Sequence, residues 1–410
     1  MPYLLGYNLS PLSLNLIYQL YIYRGMTATQ MASSLYTDQY LVSQEKSIYN
    51  YLGKLKKQQL VTSLRLQDSY SKGSIYYLTP KGYEFAKSWL DIQEGQRGTG
   101  WMKGSRGQFA DLSYEIYRPP LSQTTHHLLL IDLFIRLNSL KMKGANYRLN
   151  LYASVTYNDG VKKQRYRPDG EIYLRNGRTY TIEIDRGTES HEQLRQKFKV
   201  YRQYFDYLTE TKQNGIPFGI LFVVEDKRRN HGIKRRWKNV AAAFFEEIGE
   251  HHEKVNLILT SANMLEQILS FEINRQMYEN EALQQFKGIY KQDGWEEGQL
   301  YSLKYDDSLT ELGYVYGRKN KGYDVNMLFI SQPYETRLYS RFIKEWKSLK
   351  AKDIIRTLKN PNIIMKYVFY KWESPYVIDT LDHYDVNDEI KWAIQELALY
   401  VYDKPLANEY

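Results

Sequence analysis

Asn176-Gly177 constrains the fold of this 410-residue chain more than any other feature. It separates two alternating apolar and polar runs, Arg165–Arg175 and Arg178–Asp185, and Asn-Gly in that setting is the strongest short-range signal for a β-hairpin. Because side chains alternate along a strand, a hairpin decides which residues share a face. A two-residue loop pairs Arg175 with Arg178, sets Glu183 opposite Gly170 and turns Asp169 to the other face. Asp169 joins Glu183 and Asp185 only if the chain bulges or bends at Pro168-Asp169-Gly170, as Pro and Gly favour. A flat, regular hairpin there counts heavily against a shared site.

The flanking segments complete a pattern. THHLLLIDLFIRLNSL, from Thr124, reads as a helix with an almost continuously apolar body, and Tyr147–Tyr157 alternates like a strand. Ser190 and Gln193 form a capping box for a helix whose stripe is Leu194, Phe198, Tyr201 and Phe205. Phe218–Val224 is a continuous apolar strand, 233–249 is helical, and Val255–Leu259 is a further candidate strand. The order is α-β-β-β-α-β with an α-β extension.

Carboxylates fall at the strand ends of that pattern. Asp169 follows Pro168, Glu183 and Asp185 stand at i and i+2 on one face, and Glu189 follows within the next turn. Carboxylates converging on a sheet edge repel unless a cation lies between them, and Mg²⁺ or Mn²⁺ suits an all-oxygen site. Such an ion generates a hydroxide and stabilises the leaving oxygen of a phosphodiester. Solvated strand-end charges are the alternative for Asp169 and Glu183.

The first hundred residues have a different order. Residues 11–23 read as a helix ending at Arg24-Gly25, Thr27 caps a short helix through Leu35, and Ser43 begins a third. In the third, Ile48, Leu52, Leu55 and Leu60 make an apolar stripe, with Lys46, Tyr49, Asn50, Lys54, Lys56 and Lys57 largely elsewhere. The runs Leu60–Leu66 and Ser74–Leu78 flank a polar turn that includes Lys72, and Thr79-Pro80 opens another helix. Three helices, a hairpin and a closing helix make the winged helix-turn-helix order. Tyr77-Leu78-Thr79-Pro80-Lys81-Gly82-Tyr83 resembles the wing-to-helix junction of winged-helix regulators. In that arrangement the 43–58 helix enters the major groove and the wing touches the backbone. Residues 1–90 hold nine Lys/Arg against four Asp/Glu, which favours DNA over a purely protein-binding role.

The net charge of +9 accords with a nucleic-acid partner, since phosphate neutralisation releases counterions, but is weak alone. Lys227–Lys238 carries seven Lys/Arg and no acid, and its Arg228, Arg229, Lys234, Arg235 and Arg236 are candidate phosphate contacts, with Trp237 available to stack. A solvated loop is the competing reading. The 40 tyrosines, against 14 phenylalanines, are spread along the chain and read mainly as Phe replacements. With no cysteine, thiolate zinc sites and disulfides are excluded, which fits a cytoplasmic protein. No apolar run reaches membrane-spanning length and the first residues lack a signal-peptide pattern, so no membrane partner is expected.

Pro168-Asp169, then Glu183-Ile184-Asp185 across the Asn-Gly hairpin, resembles the PD-(D/E)XK nuclease superfamily. Within it, Arg167-Pro168-Asp169-Gly170 followed by Glu183-Ile184-Asp185-Arg186-Gly187-Thr188-Glu189, behind a winged helix, is similar to the replication-relaxation family, which includes MOBC-type relaxases. The resemblance covers about residues 10–260. It implies metal held by Asp169, Glu183 and Asp185 and single-strand cleavage of plasmid DNA at a transfer origin. Asp185 stands where the superfamily usually has Lys. Either a third carboxylate serves the metal or catalysis has been lost, and Lys197 on the following helix is the first candidate to substitute. His127 is a candidate for phosphate contact or proton transfer, with helix packing as its equal alternative.

The expected fold is α/β and multidomain. It comprises a winged helix-turn-helix over 1–92, a linker over 93–122, a restriction-endonuclease-like αβββαβ core over 123–262 and a mixed, mainly helical region over 263–410. The expected function is a metal-dependent DNA relaxase or nickase acting on a specific duplex site, such as a transfer or replication origin, with homodimerisation left open. A non-catalytic replication initiator or regulator and a double-strand endonuclease are the rivals. The C-terminal helices are expected at Thr336–Leu349, Lys352–Leu358 and Asp388–Val401, with short alternating runs at Tyr314–Gly317 and Met327–Ile330. Residues 365–372 suit a core strand or a DNA surface.

Overall fold

The computed structural model describes residues 3–4, 6–36, 42–66, 73–102, 108–139, 144–225, 233–275 and 277, and five strand segments between 296 and 402. The chain is mixed α/β and divides into two compact units, Met1–Arg186 and Gly187–Tyr410.

In the first unit, a two-residue pair of strands, β1 (Tyr3–Leu4) and β2 (Tyr7–Asn8), precedes α1 (Pro11–Tyr23). The Ser10 hydroxyl accepts the Ser13 amide at the start of α1, and Arg24 ends it in the left-handed region at φ 67°. A capping box of Thr27 and Gln30 opens α2 (Ala28–Leu35). Helix α3 (Val42–Lys57) buries Ile48, Leu52 and Leu55 and leaves its lysines in solvent. Strands β3 (Val61–Arg65) and β4 (Ser74–Leu78) pair antiparallel, from Val61 opposite Leu78 to Arg65 opposite Ser74. Thr79 then caps α4 (Pro80–Trp89), and its hydroxyl donates to the Gln59 carbonyl while accepting the Gly82 amide.

Part of the 93–122 stretch, expected as a linker, packs against these helices. Phe109 and Tyr117 are buried, and a short helix, α5 (Tyr114–Tyr117), sits within it. The Tyr117 ring stacks on Tyr83 at 4.1 Å and on Tyr21 at 5.4 Å, and its hydroxyl donates to the Leu20 carbonyl. These tyrosines serve as core, as their sequence distribution suggested.

Helix α6 (Thr124–Ser139) stacks Phe134 on Tyr147 of β5 (Ala145–Leu149). The expected strand Tyr147–Tyr157 is broken. Asn150–Ala153 forms a helical turn, α7, before β6 (Val155–Asn158) pairs with β7 (Lys163–Tyr166). The expected strand Arg165–Arg175 is broken too, because the chain bends at Pro168 before β8 (Gly170–Leu174). Strand β9 (Thr179–Asp185) pairs antiparallel with β8.

In the second unit, a Ser190–Gln193 capping box starts α8 (His191–Glu210). Strand β10 (Gly219–Val224), helix α9 (Ile233–Glu247) and strand β11 (Asn256–Ser261) follow, with β10 and β11 parallel from Gly219 opposite Asn256. Phe198 of α8 meets Phe244 of α9 edge-on at 5.3 Å. Within the first unit β5, β8 and β9 are antiparallel neighbours in the order β5-β8-β9.

The expectation of a mainly helical C-terminal region meets strands in every described segment beyond residue 277. Strands β12 (Glu296–Asp306), β13 (Leu309–Lys319) and β14 (Tyr323–Ser331) are antiparallel, and β15 (Asn362–Tyr370) and β16 (Ala398–Tyr402) add in parallel. Both short alternating runs fall in this sheet, and 362–370 is strand. The expected helices Thr336–Leu349 and Lys352–Leu358 lie outside the described residues. So does most of Asp388–Val401, whose last four residues are strand rather than helix.

Candidate functional site

The hairpin register places the carboxylates. Leu174 N–H donates to the Arg178 carbonyl and Gly177 N–H to the Leu174 carbonyl, so the loop is three residues, Arg175-Asn176-Gly177. Gly177 takes φ +86°, as a three-residue hairpin loop requires at its last position. Gly170 therefore faces Ile182, not Glu183 as the two-residue loop implied. Asp169 N–H also bonds the Ile182 carbonyl, at 3.1 Å, so two successive residues of one strand address one residue of the other. That is a bulge at Asp169-Gly170.

The bulge sends the Asp169 carboxylate beyond the end of β8. Its Oδ2 accepts the amide of Ile184, the residue between Glu183 and Asp185, at 2.9 Å. Its Oδ1 lies 2.9 Å from Nε2 of His126, in the first turn of α6. Asp169 thus takes a backbone donor that a longer β8 would have satisfied. Glu183 and Asp185 share a face of β9 with Thr181, whose hydroxyl bonds that of Tyr166 at 3.0 Å. Ile182 and Ile184 take the other face. A Cβ at Gly170 would meet the Phe134 ring at 3.1 Å and Ile182 at 3.8 Å, so α6 covers that apolar face closely.

Glu183 and Asp185 are buried, 4% and 1% exposed. Charges this deep persist only with hydrogen bonds, a counter-charge or a coordinated cation. Asp169, Glu183 and Asp185 offer oxygen acceptors alone, the donor chemistry that suits Mg²⁺ or Mn²⁺. Among the described residues, no three His, Asp or Glu side chains already converge on a metal-sized position.

The other candidates are distributed as follows. His127 is buried, and burial together with the nearby Arg24 charge holds it down to about 3, against the pull of the Gly25 and Tyr23 backbone. It is a neutral packing histidine at neutral pH, whereas its neighbour His126 reaches Asp169. No sequence signal distinguished the two beyond their one-residue offset on the helix. In the second unit, Lys197 Nζ lies 3.0 Å from Glu189, and Arg236 donates to the Glu189 carbonyl at 2.7 Å. Trp237, offered as a stacking residue, is buried. Arg235 is exposed, and α9 includes Lys234. Arg228 and Arg229 lie outside the described residues, as does Lys72 in the β3–β4 turn.

On α3, Lys46, Tyr49, Asn50, Lys54 and Lys57 are all exposed, on the side away from Ile48, Leu52 and Leu55. Tyr49 is 44% exposed and donates to Glu45. Lys54 sits over the Tyr51 ring, and Lys56 donates to Ser63.

Among the described residues no helix is long and apolar enough to cross a membrane. No curated protein matches the chain. Residues 17–218 match the family described as replication-relaxation, a span that includes α3, both halves of the hairpin and α8. Over that span the chain is similar to the replication-relaxation family.

Proposed function

We propose that this chain is a relaxase-like nickase of plasmid or mobile-element DNA, working through a divalent cation held by Asp169, Glu183 and Asp185. The match to the replication-relaxation family supports replication or relaxation of such DNA and DNA as a partner. The observation that carries the finer reading is the Asp169 carboxylate bonded to the Ile184 amide, which ties it to the residue between the two acids of β9. On this reading the α-β-β-β-α-β segment is a PD-(D/E)XK-type core, and α1–α4 with β3 and β4 form a winged helix that selects a duplex site.

Each named side chain has a part. The three carboxylates would hold Mg²⁺ or Mn²⁺, which when bound supplies a hydroxide at neutral pH and stabilises charge on the leaving oxygen. His126 contacts one Asp169 oxygen and the Ile184 amide donates to the other, and together they orient the carboxylate. Lys197 is engaged by Glu189 and holds the start of α8. The exposed basic face of α3 meets the major groove, and the exposed Arg235 of α9 meets backbone phosphate.

Supercoiled plasmid carrying the protein's own flanking DNA tests this reading. Open circles that need Mg²⁺ or Mn²⁺, and vanish in Asp169→Asn and Glu183→Gln, are the expected result. Linear product would instead make the protein a double-strand endonuclease. Absence of cutting alongside tight, salt-sensitive binding would make it a DNA-binding initiator or regulator.

A further inference from the structure

A cleft of about 580 Å³ opens in the first unit, between the 115–122 segment, α7 and the approach to β8. Its lining includes four arginines, Arg24, Arg118, Arg165 and Arg167, against one acid, Glu115. None of the four is ion-paired with a carboxylate among the described residues. Arg24 is buried, 6% exposed, and all its partners are neutral. It donates to the Tyr117 carbonyl at 2.6 Å, the Arg118 carbonyl at 2.6 Å, the Ile116 carbonyl at 3.3 Å and the Asn150 side chain at 3.1 Å. Burial pushes its guanidinium down to about 10, so it remains a cation at neutral pH. Arg118, Arg165 and Arg167 are exposed.

Four like charges around one concavity repel one another unless an anion enters. Arginine's fork of donors matches phosphate oxygens. Among the described residues no aromatic ring lines the cleft, so they offer no platform for base stacking and suit backbone rather than bases. It also adjoins the carboxylates through the chain. Asn150 lines the cleft while its amide donates to the Asp169 carbonyl at 3.0 Å, and Arg167 precedes Asp169 by two residues.

We infer that this arginine cleft binds the phosphodiester backbone of DNA and delivers a strand to the Asp169 end of β8. The inference rests on DNA being the partner but is independent of cleavage. Binding of fluorescein-labelled single-stranded and duplex oligonucleotides, read by anisotropy across a NaCl series with EDTA present, tests it on the full chain.

The double variant Arg165→Ala/Arg167→Ala is expected to bind at least tenfold more weakly at an unchanged melting temperature. Its log-affinity slope against log salt flattens by about 0.7 per lost contact on a single strand, or about 0.9 on duplex. Arg165→Lys/Arg167→Lys keeps most of the slope, because the positive charge remains. Loss confined to the single strand identifies a displaced strand as the occupant, and loss confined to duplex identifies duplex. Wild-type affinity and slope in the alanine variant overturn the inference, as does a loss that lysine does not rescue and a lowered melting temperature accompanies. Failure of the wild type to bind either DNA overturns both this inference and the proposed function. An absence of nicking with the cleft effect intact overturns the nickase reading alone.

Discussion

Asp169 accepts the Ile184 amide through Oδ2 at 2.9 Å, so a side chain stands where a ladder carbonyl would have been. The bond ends β8 and holds a carboxylate beside the Glu183–Ile184 peptide. Asp169→Ala leaves that amide unsatisfied and should cost about 1–3 kcal/mol. Asp169→Asn keeps an acceptor and should cost less. Thermal or urea unfolding of the two variants checks the order; equal losses would remove the bond's structural role.

His126 and His127 are adjacent yet should behave oppositely. His126→Ala frees Asp169 Oδ1 and should lower nicking about 10–100-fold, as loss of a group orienting a metal ligand does. His127 does not touch Asp169 in the geometry described and should affect stability instead. Its folded-state value of about 3 lies below the ordinary 6.5, so the unfolded chain takes up the proton first. Stability is therefore full above about pH 6.5 and falls as pH drops toward 3, with a slope approaching about 1.4 kcal/mol per pH unit. His127→Leu should lose that part of the slope. The difference between wild-type and variant unfolding curves across pH 4–7 is the measurement, and parallel curves would contradict it.

Gly82 marks a close approach in the hairpin-to-helix junction. Thr79 N–H and the Leu60 carbonyl are bonded at 3.1 Å, and a Cβ at Gly82 would collide with that same carbonyl. Gly82→Ala should therefore destabilise the protein by about 1–3 kcal/mol and weaken DNA binding with it. A melting curve indistinguishable from wild type would mean the backbone yields at no cost.

The exposed face of α3 should act through charge. Lys54→Ala and Lys57→Ala are each expected to weaken duplex binding and reduce the salt slope by about 0.9. Anisotropy in a salt series reads both quantities. Unchanged slopes would move the duplex contact elsewhere.

How far the sequence revealed this arrangement differs from element to element. Caps were legible because they are local: Thr27 with Gln30, and Ser190 with Gln193, each close a box within three residues. Asn176-Gly177 announced the hairpin but not its register, because Asn-Gly serves two- and three-residue loops alike. One extra loop residue moved Gly170 from Glu183 to Ile182, and the bulge then made Asp169 an edge acceptor. The turn at Asn150–Ala153 was hidden in an apparently continuous alternation. His126 was hidden beside His127, since a one-residue step around a helix separates a buried imidazole from one that reaches the strand end. The arginine cleft gathers residues from 24 to 167, a grouping that only the tertiary fold creates.

The central claim is that Asp169, Glu183 and Asp185 hold one divalent ion. Calorimetric titration of the full chain with Mn²⁺ tests it most directly, with Glu183→Gln and Asp169→Asn alongside. One ion per wild-type chain, with affinity reduced at least ~100-fold in each variant at an unchanged melting temperature, is the predicted result. Equal Mn²⁺ binding by all three proteins, or none by the wild type, would contradict it.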